Sequence, residues 1–125
     1  MPDRSWQDRI NELFATTAPP DANTETMTAY LRHLRTHLEH PCYLMQTHEE
    51  NARFEALLLL DFVGEVDPER GILARICRSS DGREYTLPLA ELECCEDHSP
   101  NSELVEDFSR WFMYTMLRRM SDFEA

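Results

Sequence analysis

The chain has 125 residues, 24 of them acidic and 12 basic, and its formal net charge is −12. This length suits one domain with a substantial core. The excess of carboxylates argues against binding to nucleic acid or to an anionic membrane, because both ligands recruit Lys and Arg.

Two helices are predicted in the first 40 residues. The first spans residues 6–15, where Trp6, Ile10, Leu13 and Phe14 recur at helical spacing. The Pro-rich stretch 16–22 ends this helix and forms a linker. A second helix is predicted for residues 24–39 before Pro41 stops it.

Short strands are predicted from residue 42 onward, over residues 42–47, 54–66, 72–78 and 83–87, with a last piece ending at residue 93. The clearest alternation is that of Ile72, Ala74 and Ile76. The turn Ser79–Gly82 predicts a hairpin after this strand. Five short strands separated by tight turns predict a small barrel.

A C-terminal helix is predicted to begin at Asn101 or Ser102, either of which can cap it. Its predicted core-facing side chains are aromatic or aliphatic. The sequence thus predicts an α+β domain with a helical extension at residues 1–40, a five-stranded barrel at 41–98 and a helix at 99–125. The predicted core-facing residues are Leu104, Phe108, Trp111, Phe112, Met116 and Leu117.

Several short motifs occur together between residues 41 and 112. They comprise a Pro-Leu-Ala-Glu-Leu-Glu segment at 88–93, a Ser-Pro-Asn turn at 99–101 and an Asp-Phe-Ser-Arg-Trp-Phe helix at 107–112. They follow Pro-Cys-Tyr at 41–43, Gly-Ile-Leu at 71–73 and a hairpin at 79–82. In this order the chain resembles a family of small acidic calcium-binding proteins, the CcbP-like proteins, which have relatives on integron gene cassettes.

The resemblance implies an SH3-like barrel and calcium binding without an EF-hand. The chain departs from the family in two respects. Its hairpin, Arg78–Arg83, is less basic than the family's hairpins often are, and its N-terminal helices are longer than the family minimum.

Clustered carboxylates also favour calcium, which takes six to eight oxygen ligands. An EF-hand is excluded because Arg70 occupies the position of the required Gly and Ile76 that of the bidentate Glu. The alternative is a solvated acidic surface that aids solubility. Two acidic regions are the predicted calcium ligands: Asp61, Glu65, Asp67 and Glu69 in the first, and Glu91, Glu93, Asp97 and Asp107 in the second.

Zinc binding and catalysis are weaker hypotheses. His33 and His37 share a helix face, and Cys94 and Cys95 precede His98, but neither group has the paired Cys-x-x-Cys spacing of zinc sites. Surface histidines and reduced core thiols explain these residues better. Since no nucleophile elbow or phosphate loop is present, we do not expect an enzyme.

The sequence therefore predicts a calcium-binding protein that acts as a buffer or regulatory module. The alternative is a protein–protein interaction adaptor or a self-associating module that needs no metal, with Trp6, Phe14 or Tyr114 exposed at a partner surface. Since the sequence has neither a signal-peptide pattern nor an apolar run of membrane-spanning length, we expect a soluble cytoplasmic protein.

Overall fold

The computed structural model describes residues 4–46 and 55–124, which form an α+β fold with three helices and a five-stranded antiparallel sheet. No helix in these two ranges is both long and apolar enough to cross a bilayer. The helices are α1 (Trp6–Phe14), α2 (Thr24–His37) and α3 (Pro100–Glu124); the strands are β1 (Tyr43–Gln46), β2 (Leu57–Phe62), β3 (Leu73–Arg78), β4 (Glu84–Pro88) and β5 (Leu92–Cys94); a 3₁₀ turn, Leu89–Glu91, separates the last two strands.

Side-chain caps fix the first two helices close to their predicted bounds. The Ser5 hydroxyl accepts a hydrogen bond from the Asp8 N–H at 3.2 Å, and the Asn23 side chain accepts one from the Thr26 N–H at 2.9 Å. Both helices have reciprocal capping boxes. At its other end α1 stops at Ala15, which adopts the left-handed conformation.

The cap of α3 differs from the prediction. Ser99, not Asn101 or Ser102, caps the helix: its hydroxyl accepts a hydrogen bond from the Ser102 N–H at 3.1 Å, and Pro100 occupies the first helical position. The Asn101 side chain instead bonds both backbone groups of Glu39, at 2.7 and 2.8 Å. It thereby joins the segment after α2 to the start of α3.

The sheet has the strand order β4-β3-β2-β1-β5, and all its pairs are antiparallel. The predicted alternation of β3 is confirmed, since Ala74 and Ile76 are fully buried. A bulge between Leu59 and Asp61 inserts one extra residue in β2, which returns Phe62 to the buried face opposite Ala74.

The predicted closure of the sheet into a barrel is not found in the described residues. Strands β4 and β5 form opposite edges of the sheet and do not pair with each other. The chain leaves β4 at Pro88 and passes through the 3₁₀ turn. It then forms β5, which pairs with β1 over only three residues. The ends of two predicted strands, at Thr47 and Phe54, lie outside the described residues.

Aromatic side chains of α3 form the centre of the core, as predicted for Trp111. Phe108 and Trp111 are fully buried, and the Trp111 indole N–H donates to the Pro20 carbonyl at 2.7 Å. From α2 the Tyr30 hydroxyl donates to the Leu104 carbonyl at 2.6 Å. These contacts fix α3 against α2 and the linker that precedes α2.

Gly71 allows α3 to approach the β2–β3 connection. Its φ is +81°, and a Cβ there would lie 3.0 Å from Phe112 Cε2 and 3.2 Å from Phe108 Cζ.

We expect Gly71→Ala to lower the free energy of unfolding by about 2–3 kcal/mol, because it adds left-handed strain to overpacking. Gly82→Ala is the control, since its φ is +67° but no atom lies within 4 Å of the added Cβ. Equal losses in urea unfolding would show that the close approach is unimportant.

Candidate functional site

Helix α3 has a second apolar face that points to solvent. Met113, Leu117 and Met120 follow one another at spacings of four and three residues, which places them on one side of a helix. They are 55, 58 and 62% exposed. The prediction that Leu117 joins the core is therefore wrong, because Leu117 follows the helical phase of Met113 and not that of Trp111. We call these three residues the α3 stripe.

The α3 stripe borders an apolar groove of about 620 Å³. Ala90 and Leu92, from the 3₁₀ turn and β5, line this groove together with Met113 and Leu117. Trp6 of α1 lines it as well, and its ring contacts Tyr114 edge-on at 5.5 Å between centroids. Three separate parts of the chain thus contribute to one groove.

Charged side chains around the groove are mostly acidic. Glu93 and Asp97 line it from β5 and the loop that follows, and Glu106 lines it from α3. Arg110 also lines the groove and forms an ion pair with Glu106 one helical turn away. The site therefore combines apolar walls with a rim of negative charge.

A bidentate ion pair holds α1, and with it Trp6, against α3. Arg9 donates from Nε to Asp107 Oδ2 at 2.7 Å and from Nη2 to Oδ1 at 2.8 Å. The Asp107 side chain is 7% exposed and that of Arg9 28%. The hydrogen bonds to Asp107 raise the pKa of Arg9 against the opposing effect of burial. Asp107, a predicted calcium ligand, thus directs both carboxylate oxygens to a guanidinium group.

Two acids of the first predicted region, Asp61 and Asp67, serve local structure. Asp61 is 3.5 Å from Arg35 Nε in an exposed ion pair. Asp67 accepts hydrogen bonds from the N–H groups of Arg70 and Glu69, both at 2.8 Å, and these bonds lower its pKa. Glu69 itself is exposed in the same turn, as is Glu65 just before it.

Of the second predicted region, only Glu93 and Asp97 line the groove, while Glu91 ends the 3₁₀ turn. Within residues 4–46 and 55–124, no three His, Cys, Asp or Glu side chains are grouped closely enough to hold a metal ion. The structure thus divides the eight predicted ligands among β2, the β2–β3 connection, the 3₁₀ turn, the groove rim and the contact between α1 and α3.

Histidines and cysteines occupy two other places. The rings of His33 and His37 contact each other on α2, tilted by 38° with centroids 4.3 Å apart. Burial, followed by the charge of His37, lowers the pKa of His33. Cys42 and Cys94 are both buried, and the Cys94 thiol contacts the Ser99 hydroxyl at 3.9 Å. Burial, with Cys94 adding to it, raises the pKa of Cys42 to about 12, so this thiol is protonated at neutral pH.

The sequence prediction missed the α3 stripe and the groove residues Ala90 and Leu92. One signal was available, because the apolar residues of the last helix fall on two faces and not on one. The pairing of β5 with β1 gave no comparable signal, since it joins residues almost 50 positions apart.

Comparison with known proteins finds no matching protein-family model, no matching characterised protein and no matching solved structure. The similarity to the calcium-binding family therefore stays a prediction from the sequence. The function must be inferred from the groove and its surroundings.

The Arg9–Asp107 pair should contribute measurably to stability. We expect Asp107→Asn to lower the free energy of unfolding by about 2 kcal/mol, since it removes one charge of a largely buried pair. Asp21→Asn removes the exposed pair with Arg118 and should cost less than about 0.5 kcal/mol. Chemical unfolding of both variants tests this difference, and similar losses would contradict the assigned role of Asp107.

Proposed function

We propose that this protein is a protein-interaction module whose groove binds an apolar, basic segment of a partner protein. The α3 stripe carries this proposal. Three large apolar side chains, each more than half exposed, lie together on one helix face beside a groove. Burying such a surface gains about 25 cal/mol per Å² of apolar area, and contiguous exposed patches mark interaction sites.

The chemistry of the α3 stripe suits a partner segment. Two of its three residues are Met, whose flexible thioether side chain adapts to varied apolar surfaces. Neighbouring Trp6, which is half-buried, adds rigid apolar surface to the groove. The partner should therefore present aliphatic side chains.

The charge around the groove favours a basic partner over a second copy of the chain. Glu93, Asp97 and Glu106 surround the apolar walls, and Arg110 is already paired with Glu106. A second copy would bring another net charge of −12 to the interface. Complementary charge accelerates association and rejects partners of like sign, so Lys or Arg should flank the aliphatic residues of the partner.

An SH3-like relationship of the sheet is part of the same proposal. It is supported by the five short antiparallel strands, by the pairing of β1 with both β2 and β5, and by the 3₁₀ turn between β4 and β5. In this arrangement β5 is an edge strand beside the groove.

Calcium binding stays a second proposal, supported by the net charge of −12 and by the carboxylates around the groove.

If calcium binds the folded state, millimolar calcium should raise the midpoint of thermal unfolding by about 2 °C or more relative to magnesium, by mass action. The combined variant Glu93→Gln, Asp97→Asn should abolish this difference if the groove rim supplies the ligands. Identical midpoints in calcium and magnesium would contradict calcium binding.

The groove is tested with two blocked peptides of about nine residues composed only of Val and Arg, one with strictly alternating residues and one patterned at helical period. At least one of the two peptides should bind the protein. Leu117→Asp should lower the affinity for that peptide by about tenfold, equal to about 1.4 kcal/mol. Leu60→Asp is the matched control, because Leu60 lies on β2 away from the groove and receives the same charge.

Non-specific attraction between the acidic protein and a basic peptide would strengthen with either added carboxylate. A loss in Leu117→Asp alone therefore reports apolar contact in the groove. Absence of binding, or equal affinity of both variants, would contradict the proposed function. A dimer in light scattering that Leu117→Asp dissolves would instead identify a second copy as the occupant.

A further inference from the structure

We propose that His33 and His37 form a binding site for one divalent ion of copper, nickel or zinc. The site lies on the last two turns of α2, and the inference does not rest on the function proposed for the groove. The two imidazole rings supply the protein ligands, and water fills the remaining positions around the ion. The proposal depends on the spacing of the rings, on their free nitrogens and on the charges nearby.

The two rings are already spaced as a shared ion requires. His33 and His37 lie one helical turn apart, where side chains are neighbours with Cβ atoms about 5–6 Å apart. Their ring centroids are 4.3 Å apart. Two imidazoles that bind one ion at a right angle, each through a nitrogen about 2.1 Å from it, have centroids about 4.5 Å apart. Because the χ2 torsion of histidine is broad, small ring rotations can direct a nitrogen of each ring to the ion.

A hydrogen bond fixes His37 in the form that binds a metal ion. Its Nδ1 lies 3.0 Å from the His33 carbonyl oxygen, which can only accept a hydrogen bond. Nδ1 therefore carries the proton of the neutral ring, and the free lone pair is on Nε2. Histidine ligands commonly donate their other ring N–H to a carbonyl in this way. Since the His37 side chain is exposed, its Nε2 can meet an ion from solvent.

The His33 ring is held between two other rings of α2. Its centroid is 5.7 Å from that of Tyr30, which is buried and whose hydroxyl donates to the Leu104 carbonyl. In residues 4–46 and 55–124, no group bonds the ring nitrogens of His33, and no side-chain nitrogen without a partner is fully buried. The His33 nitrogens therefore remain accessible to an ion.

His33 is also neutral at neutral pH, as a metal ligand must be. Burial, followed by the charge of His37, lowers the pKa of His33, and Asp107 opposes this change. An ion that binds the ring at neutral pH therefore displaces water and little or no proton.

Carboxylates from the other helices add negative charge beside His33. A cavity of about 260 Å³ borders this ring, and Glu12 of α1 lines it together with Glu103 and Asp107 of α3. Arg9 lines the cavity as well, but it bonds Asp107 and lies 3.5 Å from Glu103. Three carboxylates against one guanidinium favour a cation here. A cavity of this size can also hold water molecules bound to the ion.

The donor atoms select the class of ion. Neutral imidazole suits copper, nickel and zinc, whereas calcium and magnesium prefer oxygen ligands. Two nitrogens at a right angle match the tetragonal arrangement of nickel(II) and copper(II) with nitrogen and oxygen ligands. Since the described residues offer no group of three metal-binding side chains, the site keeps open positions and differs from a closed structural zinc site.

The experiment titrates the full, untagged chain with Ni²⁺ by calorimetry, because this ion does not oxidise the free thiols. We expect saturable binding of one ion per chain. His33→Asn and His37→Asn should each lower the affinity by about tenfold or more, equal to about 1.4 kcal/mol. His98→Asn is the matched control, since His98 is exposed and its φ of 64° suits asparagine. An excess of calcium should leave the affinity unchanged.

NMR of the unchanged chain keeps the test independent of how well the variants fold. The ring nitrogen signals should show His37 with its proton on Nδ1, and paramagnetic Ni²⁺ should broaden the rings of His33 and His37 before that of His98. Binding no tighter than about 1 mM, an equal loss in His98→Asn, displacement by calcium or broadening that spares His33 and His37 would overturn the inference. The test of the groove is separate, because it depends on Leu117.

Discussion

The burial of Phe108, Trp111 and Phe112 between the helices and the sheet determines where α3 lies and which of its faces meets solvent. The Trp111 indole, bonded to the Pro20 carbonyl, fixes both the position and the rotation of α3. Gly71 leaves room for the Phe112 ring, so the helix comes close to the β2–β3 connection. Once these rings face inward, helical geometry turns Met113, Leu117 and Met120 outward. The exposure of the α3 stripe is thus a direct consequence of how the core is packed.

Electrostatics shape the same surface in two ways. The guanidinium of Arg9 compensates the buried carboxylate of Asp107 and keeps α1 beside α3. Other arginines form exposed pairs that contribute little to stability, such as Arg75 with Glu84. The acids that remain around the groove would favour the basic partner segment that we propose. A chain with this charge gains solubility although it exposes an apolar stripe, since like charges oppose non-specific association.

Local patterns predicted the helices, the alternation of β3 and the burial of Trp111, because each depends on neighbours within a few residues. The failures have non-local causes. The sheet stays open because Pro88 and the 3₁₀ turn shorten β5, and the predicted calcium ligands separate because the fold places them on different elements. Asn101 was predicted to cap α3, but it bonds the backbone of Glu39, a contact between residues 62 positions apart. Leu117 was misplaced for a local reason, since its helical phase was available in the sequence.

Methionine-methyl NMR of the intact protein can measure whether the α3 stripe is exposed on the folded helix. A soluble nitroxide added to the solution relaxes methyl groups in proportion to their accessibility. Met113 and Met120 should relax strongly, whereas Met27, which is fully buried on α2, should be protected. If the Met113 and Met120 methyl groups are as protected as that of Met27, something already covers the α3 stripe in the isolated protein. That result would contradict the assignment of this face to a partner segment.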